Sequence, residues 1–222
     1  MYFAWIGPVQ RKPSPLIPLT DYLRMHNVMR SVLDSLDART AHACLFFSVA
    51  GATLLREFYN KDARPVIGAM VLLVNDAQRN ALTFATLEDG KLNSTKAAFH
   101  AWIECAGYVI DFMAPLFPEN SAAAGHPSIA PSRMLQKRLE AMSISHEHLD
   151  QPGDFYLESN SALAADLLQS FYRKPAGSDL VNICKHWYRR PPRAIASETL
   201  MQDDLGIVTR IKLKSSPVSG VW

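Results

Sequence analysis

The sequence predicts an α+β fold, and three observations carry that prediction. Between Ala43 and Leu55 the only polar side chains are Ser48 and Thr53, so a helix there is apolar on every side and must be central. Val66–Val74 and Ala81–Leu87 read as strands, the first continuous and apolar, as in the middle of a sheet. Phe99–Phe112 alternates with period two about Ala106 and Gly107, the pattern of a half-buried antiparallel hairpin. The expected architecture is therefore a central helix packed on an antiparallel sheet of at least four strands.

Taken in order, residues 1–19 hold Pro8, Pro13, Pro15 and Pro18 between short apolar pieces and read as an extended arm. A helix capped by Thr20 or Asp21 follows, with Leu23, Val28, Val32 and Leu36 at helical spacing; its His26 reads as a surface or boundary residue. Asp37 and Thr40 offer caps for the central helix, which places Cys44 in or near its first turn. There the unpaired N–H groups and the positive end of the helix dipole favour a thiolate and can stabilise an oxyanion. The competing reading of Cys44 is a small buried hydrophobe.

The hairpin adds the chemistry. One face carries Phe99, Ala101, Ile103, Cys105, Tyr108, Ile110 and Phe112; the other carries His100, Trp102, Glu104, Val109 and Asp111. A two-residue turn sets Trp102 opposite Asp111 and His100 opposite Met113, which makes His100 and Asp111 diagonal neighbours roughly 7–8 Å apart at the backbone. A three-residue turn would separate them. An imidazole beside a carboxylate is the orienting half of an acid/base site; the alternative is a structural pair closing a sheet face.

The remainder carries less chemistry. Lys91–Lys96 reads as a polar loop over the site mouth, and residues 113–131, with Pro115, Pro118 and Pro127, as a long lid-like loop. Helices are expected over 132–142, 160–172 (capped by Ser159 or Asn160) and 179–188 (capped by Ser178), a short strand over 154–158, and an edge strand over 205–214 before a mobile or surface tail. Lys185–Arg193 is a basic-aromatic cluster; basic residues also suit a helix C-terminus, and the prolines stop the helix.

Composition bounds the function. Hydrophobic residues make up 48% and charged residues 20%, as in an ordinary globular protein, and the net charge of +2 is too near neutral to imply a polyanionic partner. The longest apolar run, Pro65–Val74, is too short for the ~20 residues a bilayer requires. The N-terminus has neither a basic start nor an apolar core of signal-peptide length, so a cytoplasmic location is expected. Cys44, Cys105 and Cys184 show no C-x-x-C spacing, and His146-Glu147-His148 has no further ligand nearby. Neither metal nor cofactor is expected, and one domain is preferred over two.

Cys44 opening a long apolar helix, His100-Ala-Trp-Ile-Glu104 on one strand and Tyr108-Val-Ile-Asp111 on the next together resemble the papain-like cysteine-enzyme superfamily. The likeness is strongest to the transglutaminase-like branch, where a His-x-Trp-x-Glu strand precedes a strand ending in Asp. It covers residues 38–115 and suggests a small, uncharacterised bacterial family within that superfamily. The resemblance implies a papain-like cysteine-proteinase fold, with residues 116–222 as elaboration, and a triad of Cys44 as nucleophile, His100 as general base then acid, and Asp111 as the orienting group. Three departures keep the substrate open: Ala38 stands where papain-type peptidases have the oxyanion Gln, Leu45 where transglutaminases have Trp, and Thr40-Ala-His-Ala43 where arylamine acetyltransferases have Arg-Gly-Gly. His42 is then a candidate second oxyanion donor and Trp102 a candidate substrate contact.

The expected function is cysteine-dependent acyl transfer, hydrolytic or transglutaminase-like, on a small-molecule or peptide acyl substrate. Two alternatives stand beside it: a non-catalytic peptide- or protein-binding module on the same scaffold, and nucleic-acid binding through residues 185–193.

Overall fold

A computed structural model describes residues 15–36, 43–75, 79–126 and 130–222. Most of the N-terminal arm, the expected caps Asp37 and Thr40, Ala38 and the candidate donor His42 lie outside that range. Helix α1 (Leu19–Asp34) begins directly after Pro18, whose carbonyl accepts from the N–H groups of Asp21 and Tyr22. Thr20 and Asp21 are thus already inside the helix, because Pro18 ends the extended lead-in one residue before the expected caps. Helix α2 (Cys44–Tyr59) is the apolar one, buried along most of its length, and closes on Asn60 in the left-handed conformation.

The sheet is antiparallel, with six strands built on β1 (Ala63–Asn75). Strand β2 (Asn80–Phe84) pairs with the C-terminal half of β1, Phe84 lying opposite Met70. The chain then leaves the sheet as a small ribbon, β3 (Thr86–Glu88) and β4 (Lys91–Asn93), before returning as β5 (His100–Cys105). His100 rejoins β1 opposite Gly68. Strand β6 (Tyr108–Asp111) pairs back on β5 with Ile103 opposite Ile110 and Cys105 opposite Tyr108, the register a two-residue turn implies. Ala106 and Gly107 both have positive φ, 49° and 76°, so the turn is of the hairpin-favouring primed type.

The next segment differs most from expectation. Instead of a structureless lid, a 3₁₀ turn at Ala114–Leu116 leads into α3 (Phe117–Ala123). Pro115 and Pro118 sit in the first turns of these pieces, where a missing N–H costs nothing, so here they open helices rather than break them. Strand β7 (Leu135–Arg138) and a 3₁₀ turn at Leu139–Ala141 stand where a helix was expected over 132–142, because β6 offers Leu135 and Gln136 an open sheet edge. Strand β8 (Phe155–Ser159) also joins the sheet, antiparallel to β1. Helix α4 (Ser161–Arg173) is capped by Asn160, whose side chain accepts from the Leu163 N–H at 3.0 Å. Helix α5 (Pro175–Trp187) starts at a proline rather than at Ser178. A separate ribbon, β9 (Glu198–Gln202) and β10 (Val208–Lys212), follows, and β9 was not expected.

Both faces of the sheet are covered. Ile67, Ala101, Ile103 and Ile110 pack against α2, with α1 and α5 behind it. The opposite face forms a second core of Met70, Leu72, Trp102, Val109, Leu135 and Phe155 with Phe117 of α3. The hairpin is therefore fully rather than half buried. The C-terminal tail is part of this packing: Val221 bridges to Met134, and Trp222 lies against the second core. Near the other end of the chain the Gln136 carboxamide grips the Ile17 backbone, accepting from its N–H and donating to its carbonyl, each at 2.9 Å. Among the described residues no helix is long and apolar enough to cross a membrane.

Candidate active site

The site sits where a line of strand is interrupted. Met70 has Phe84 on one side and Leu157 on the other, while Gly68 has His100 on one side and Ser159 on the other. Since β8 occupies one edge of β1 at both positions, β2 and β5 lie end to end along the other. The excursion from Ala85 to Phe99 leaves and returns between Phe84 and His100, and opens a cleft there of about 690 Å³. Its lips are residues 81–85 and 96–100, α3 closes the far side, and Cys44 lies at its wall.

His100 and Asp111 are brought together as the register required. His100 Nε2 lies 2.8 Å from Asp111 Oδ2, with both residues almost wholly buried. Burial opposes a charge on the ring, but the Asp111 carboxylate, by charge and hydrogen bond, and the Cys44 sulfur beyond it outweigh that cost. The His100 pKa rises to about 10. At neutral pH the ring is therefore protonated and Nε2–H donates to Asp111. The other nitrogen, Nδ1, is buried and makes no directed hydrogen bond. Phe84 lies over the imidazole at a centroid distance of 4.4 Å and Phe117 meets it edge-on at 5.8 Å, and the two phenyl rings also touch each other at 5.4 Å, an aromatic cluster that packs against the ring.

Asp111 is held from several directions. Its Oδ1 accepts from the Met113 N–H at 2.8 Å, and the Tyr22 hydroxyl of α1 donates to its backbone carbonyl. His26 of α1 donates through Nδ1 to the next carbonyl, Phe112, at 2.8 Å. That histidine is fully buried, not a surface or boundary residue. Cys44 is the first residue of α2, after Ala43, which makes no side-chain cap. The first-turn N–H groups of a helix have no partner within it, and they stand beside the sulfur. Gly51 lets α2 approach the hairpin: a Cβ there would meet the Phe112 ring at 2.4 Å and the Ile103 side chain at 2.8 Å.

Cys44, His100 and Asp111 thus converge. Trp102 does not join them: it is buried in the second core, its Nε1 3.5 Å from Glu104 Oε1, and it does not line the cleft. In the basic cluster, Trp187 and Tyr188 are buried, Lys185 pairs with Glu57 at 2.7 Å, and Arg190 lies over the Tyr59 ring. The aromatics that would stack on bases are therefore in the core. Among the described residues no group of three or more His, Cys, Asp and Glu could hold a metal ion. Reasoning from sequence missed Phe84, Phe117 and Tyr22; only the prolines flanking Leu116-Phe117 gave a local signal, read the wrong way.

Comparison with known proteins adds a family and a fold. A family profile described as "Protein of unknown function (DUF2026)" matches residues 18–222. The crystal structure of genomics APC5867 superposes with a TM-score of 0.83 at 30% sequence identity, covering 95% of this chain and 99% of that one. No protein with a curated description matches the sequence.

Proposed function

The chain belongs to the DUF2026 family, and we propose that it is a cysteine-dependent acyl-transfer enzyme on a papain-like scaffold of the transglutaminase-like kind. The observation that carries this reading is the buried His100–Asp111 pair at 2.8 Å, in a cleft that Cys44 shares. The order of parts supports it: a thiol on the first residue of a core helix, an imidazole on one strand and a carboxylate on the next.

In this mechanism the proton of the Cys44–His100 pair rests on the ring. The Cys44 sulfur attacks the carbonyl carbon of the substrate, and the oxyanion that forms faces the first-turn N–H groups of α2. As the tetrahedral intermediate collapses, the bond from carbonyl to leaving group breaks and His100 Nδ1 gives that group its proton. Water then attacks the thioester, His100 takes the proton it loses, and Cys44 leaves as the acid forms. An amine in place of water gives transfer instead of hydrolysis. Asp111 keeps the ring charged and oriented throughout.

Thiol labelling tests the reading without knowledge of the substrate. Burial pushes the Cys105 and Cys184 thiols up, which makes both poor nucleophiles. Iodoacetamide should therefore alkylate Cys44 first, as read by peptide mass spectrometry. His100→Ala should slow that reaction at pH 7, because the imidazolium that favours a thiolate at Cys44 is gone. If Cys44 reacts no faster than the other two, the proposal fails.

A further inference from the structure

The cleft is walled by small apolar side chains and by bases. Ala81, Ala85, Ala97, Ala98, Ala123 and Ala124 line it, and among the described lining residues there is no aspartate or glutamate. Its ionisable side chains are Cys44, Lys96, His100 and His126. The Asp111 carboxylate matches the charge of His100, so the bases left to face the cavity are Lys96 on the lip and His126 after the end of α3.

Both are set by tight turns. The Thr95 N–H donates to the Ala98 carbonyl at 2.8 Å and the Ala98 N–H returns to that of Thr95 at 3.2 Å, while the Thr95 hydroxyl accepts from the Ala97 and Ala98 N–H groups. Lys96 is thereby held at the tip of a closed turn, and Asn160, the cap of α4, ties that turn down by donating through Nδ2 to Ser94 Oγ at 3.2 Å. Across the cleft Gly125, at φ 87°, stops α3, and the His126 N–H closes on the Ser121 carbonyl at 2.8 Å. Lys96 pairs with Asp166 of α4 at 2.6 Å, and Asp166 does not line the cleft. The two side chains are 71% and 49% exposed; surface pairs of this kind contribute little, so a ligand can take the carboxylate's place.

We infer that the acyl donor has an apolar body and an anionic group, and that Lys96 binds that group at the rim while the body lies on the alanine wall. The inference rests on the acyl-transfer reading and adds a charge to its substrate. A cavity of about 690 Å³ is of the size that small organic ligands fill, with an apolar lining and a few polar groups to fix orientation. A cationic substrate would find no carboxylate in the lining and would be repelled by Lys96. An anionic one is repelled by the Cys44 sulfur alone, which requires the charge to stand away from the reacting carbonyl, as a place on the lip allows.

Maleimides that differ in a terminal charge test this at Cys44. A series running from maleimidoacetate to maleimidoundecanoate is compared, chain for chain, with uncharged N-alkylmaleimides, and adduct formation at Cys44 is followed by peptide mass spectrometry. The ratio of the acid's rate to the alkyl reagent's should peak at the chain that lets the carboxylate reach Lys96. Lys96→Gln should lower that peak by about twofold to fivefold, the worth of a partly exposed charge pair. Asp166→Asn breaks the same ion pair but keeps the ammonium, so it should leave the peak in place or heighten it. A series without a peak, a peak that survives Lys96→Gln, or one that Asp166→Asn removes as well overturns the inference; the acyl-transfer reading then stands, because the uncharged maleimides still report a reactive Cys44. A Cys44 inert to every maleimide in the unsubstituted protein ends that reading, and this inference with it.

Discussion

His26 and His100 are equally buried, and both are held by the chain around the end of β6, yet they are held in opposite charge states. His26 meets a backbone carbonyl, that of Phe112, through Nδ1 and the Ser216 hydroxyl through Nε2. Burial pushes its pKa down to about 4, so the ring is neutral: Nδ1–H donates and Nε2 accepts from Ser216. One residue earlier on the same strand end, Asp111 offers His100 a carboxylate, and there the pKa rises to about 10. Burial alone therefore does not set the state of a histidine; the charge of its partner does. One ring is a structural clip for α1, and the other carries a proton at the wall of a cleft.

Removing the carboxylate breaks the contrast most severely. Asp111→Ala orphans two buried donors, His100 Nε2–H and the Met113 N–H, and should destabilise the protein by about 3–5 kcal/mol, measured by urea unfolding. The same variant should bring the His100 titration midpoint, followed by NMR, well below the value of about 10. A midpoint that stays high would mean that Asp111 is not the cause of the charge.

Acid should separate the two rings next. A histidine held neutral, with a folded pKa lowered to about 4, contributes stability that is whole above the unfolded value of 6.5 and is lost as pH falls toward about 4. The loss is roughly 3 kcal/mol, and His26→Gln should flatten that limb of the stability profile. His100 has the opposite sign: its contribution is whole below 6.5 and is lost as pH rises through about 10. A profile flat between pH 6.5 and 4 in the unsubstituted protein would refute the neutral burial of His26.

The smallest change sharpens the comparison from the side of α1. Tyr22→Phe removes the hydroxyl that clamps the Asp111 carbonyl and should cost about 1–2 kcal/mol, the penalty for a buried carbonyl left unpaired. With Asp111 less firmly held, Cys44 labelling should slow as well. Unchanged stability would show that the clamp is dispensable.

Local pattern made the hairpin legible. Period-two alternation and a glycine at the turn fix which residues share a face, so His100 and Asp111 could be paired before any coordinates. The α2 helix was legible for the same reason, since an unbroken apolar surface admits only a central place. Residues 113–142 were not, because prolines there open helices instead of ending them, and β7 exists only because β6 presents it an edge. His26 was misplaced because its partners, Phe112 and Ser216, are far from it in sequence.

The sequence by itself determined the α+β class, the apolar helix headed by Cys44 and the register that puts a carboxylate beside His100. These follow from interactions between near neighbours along the chain. Tertiary structure alone decided that the second face of the sheet is dry, that Phe84 and Phe117 pack against the imidazole, that Trp102 is core, and that Asn120 stands unpaired at the cleft. Burial and partnership depend on segments that meet only after folding, so no local pattern encodes them.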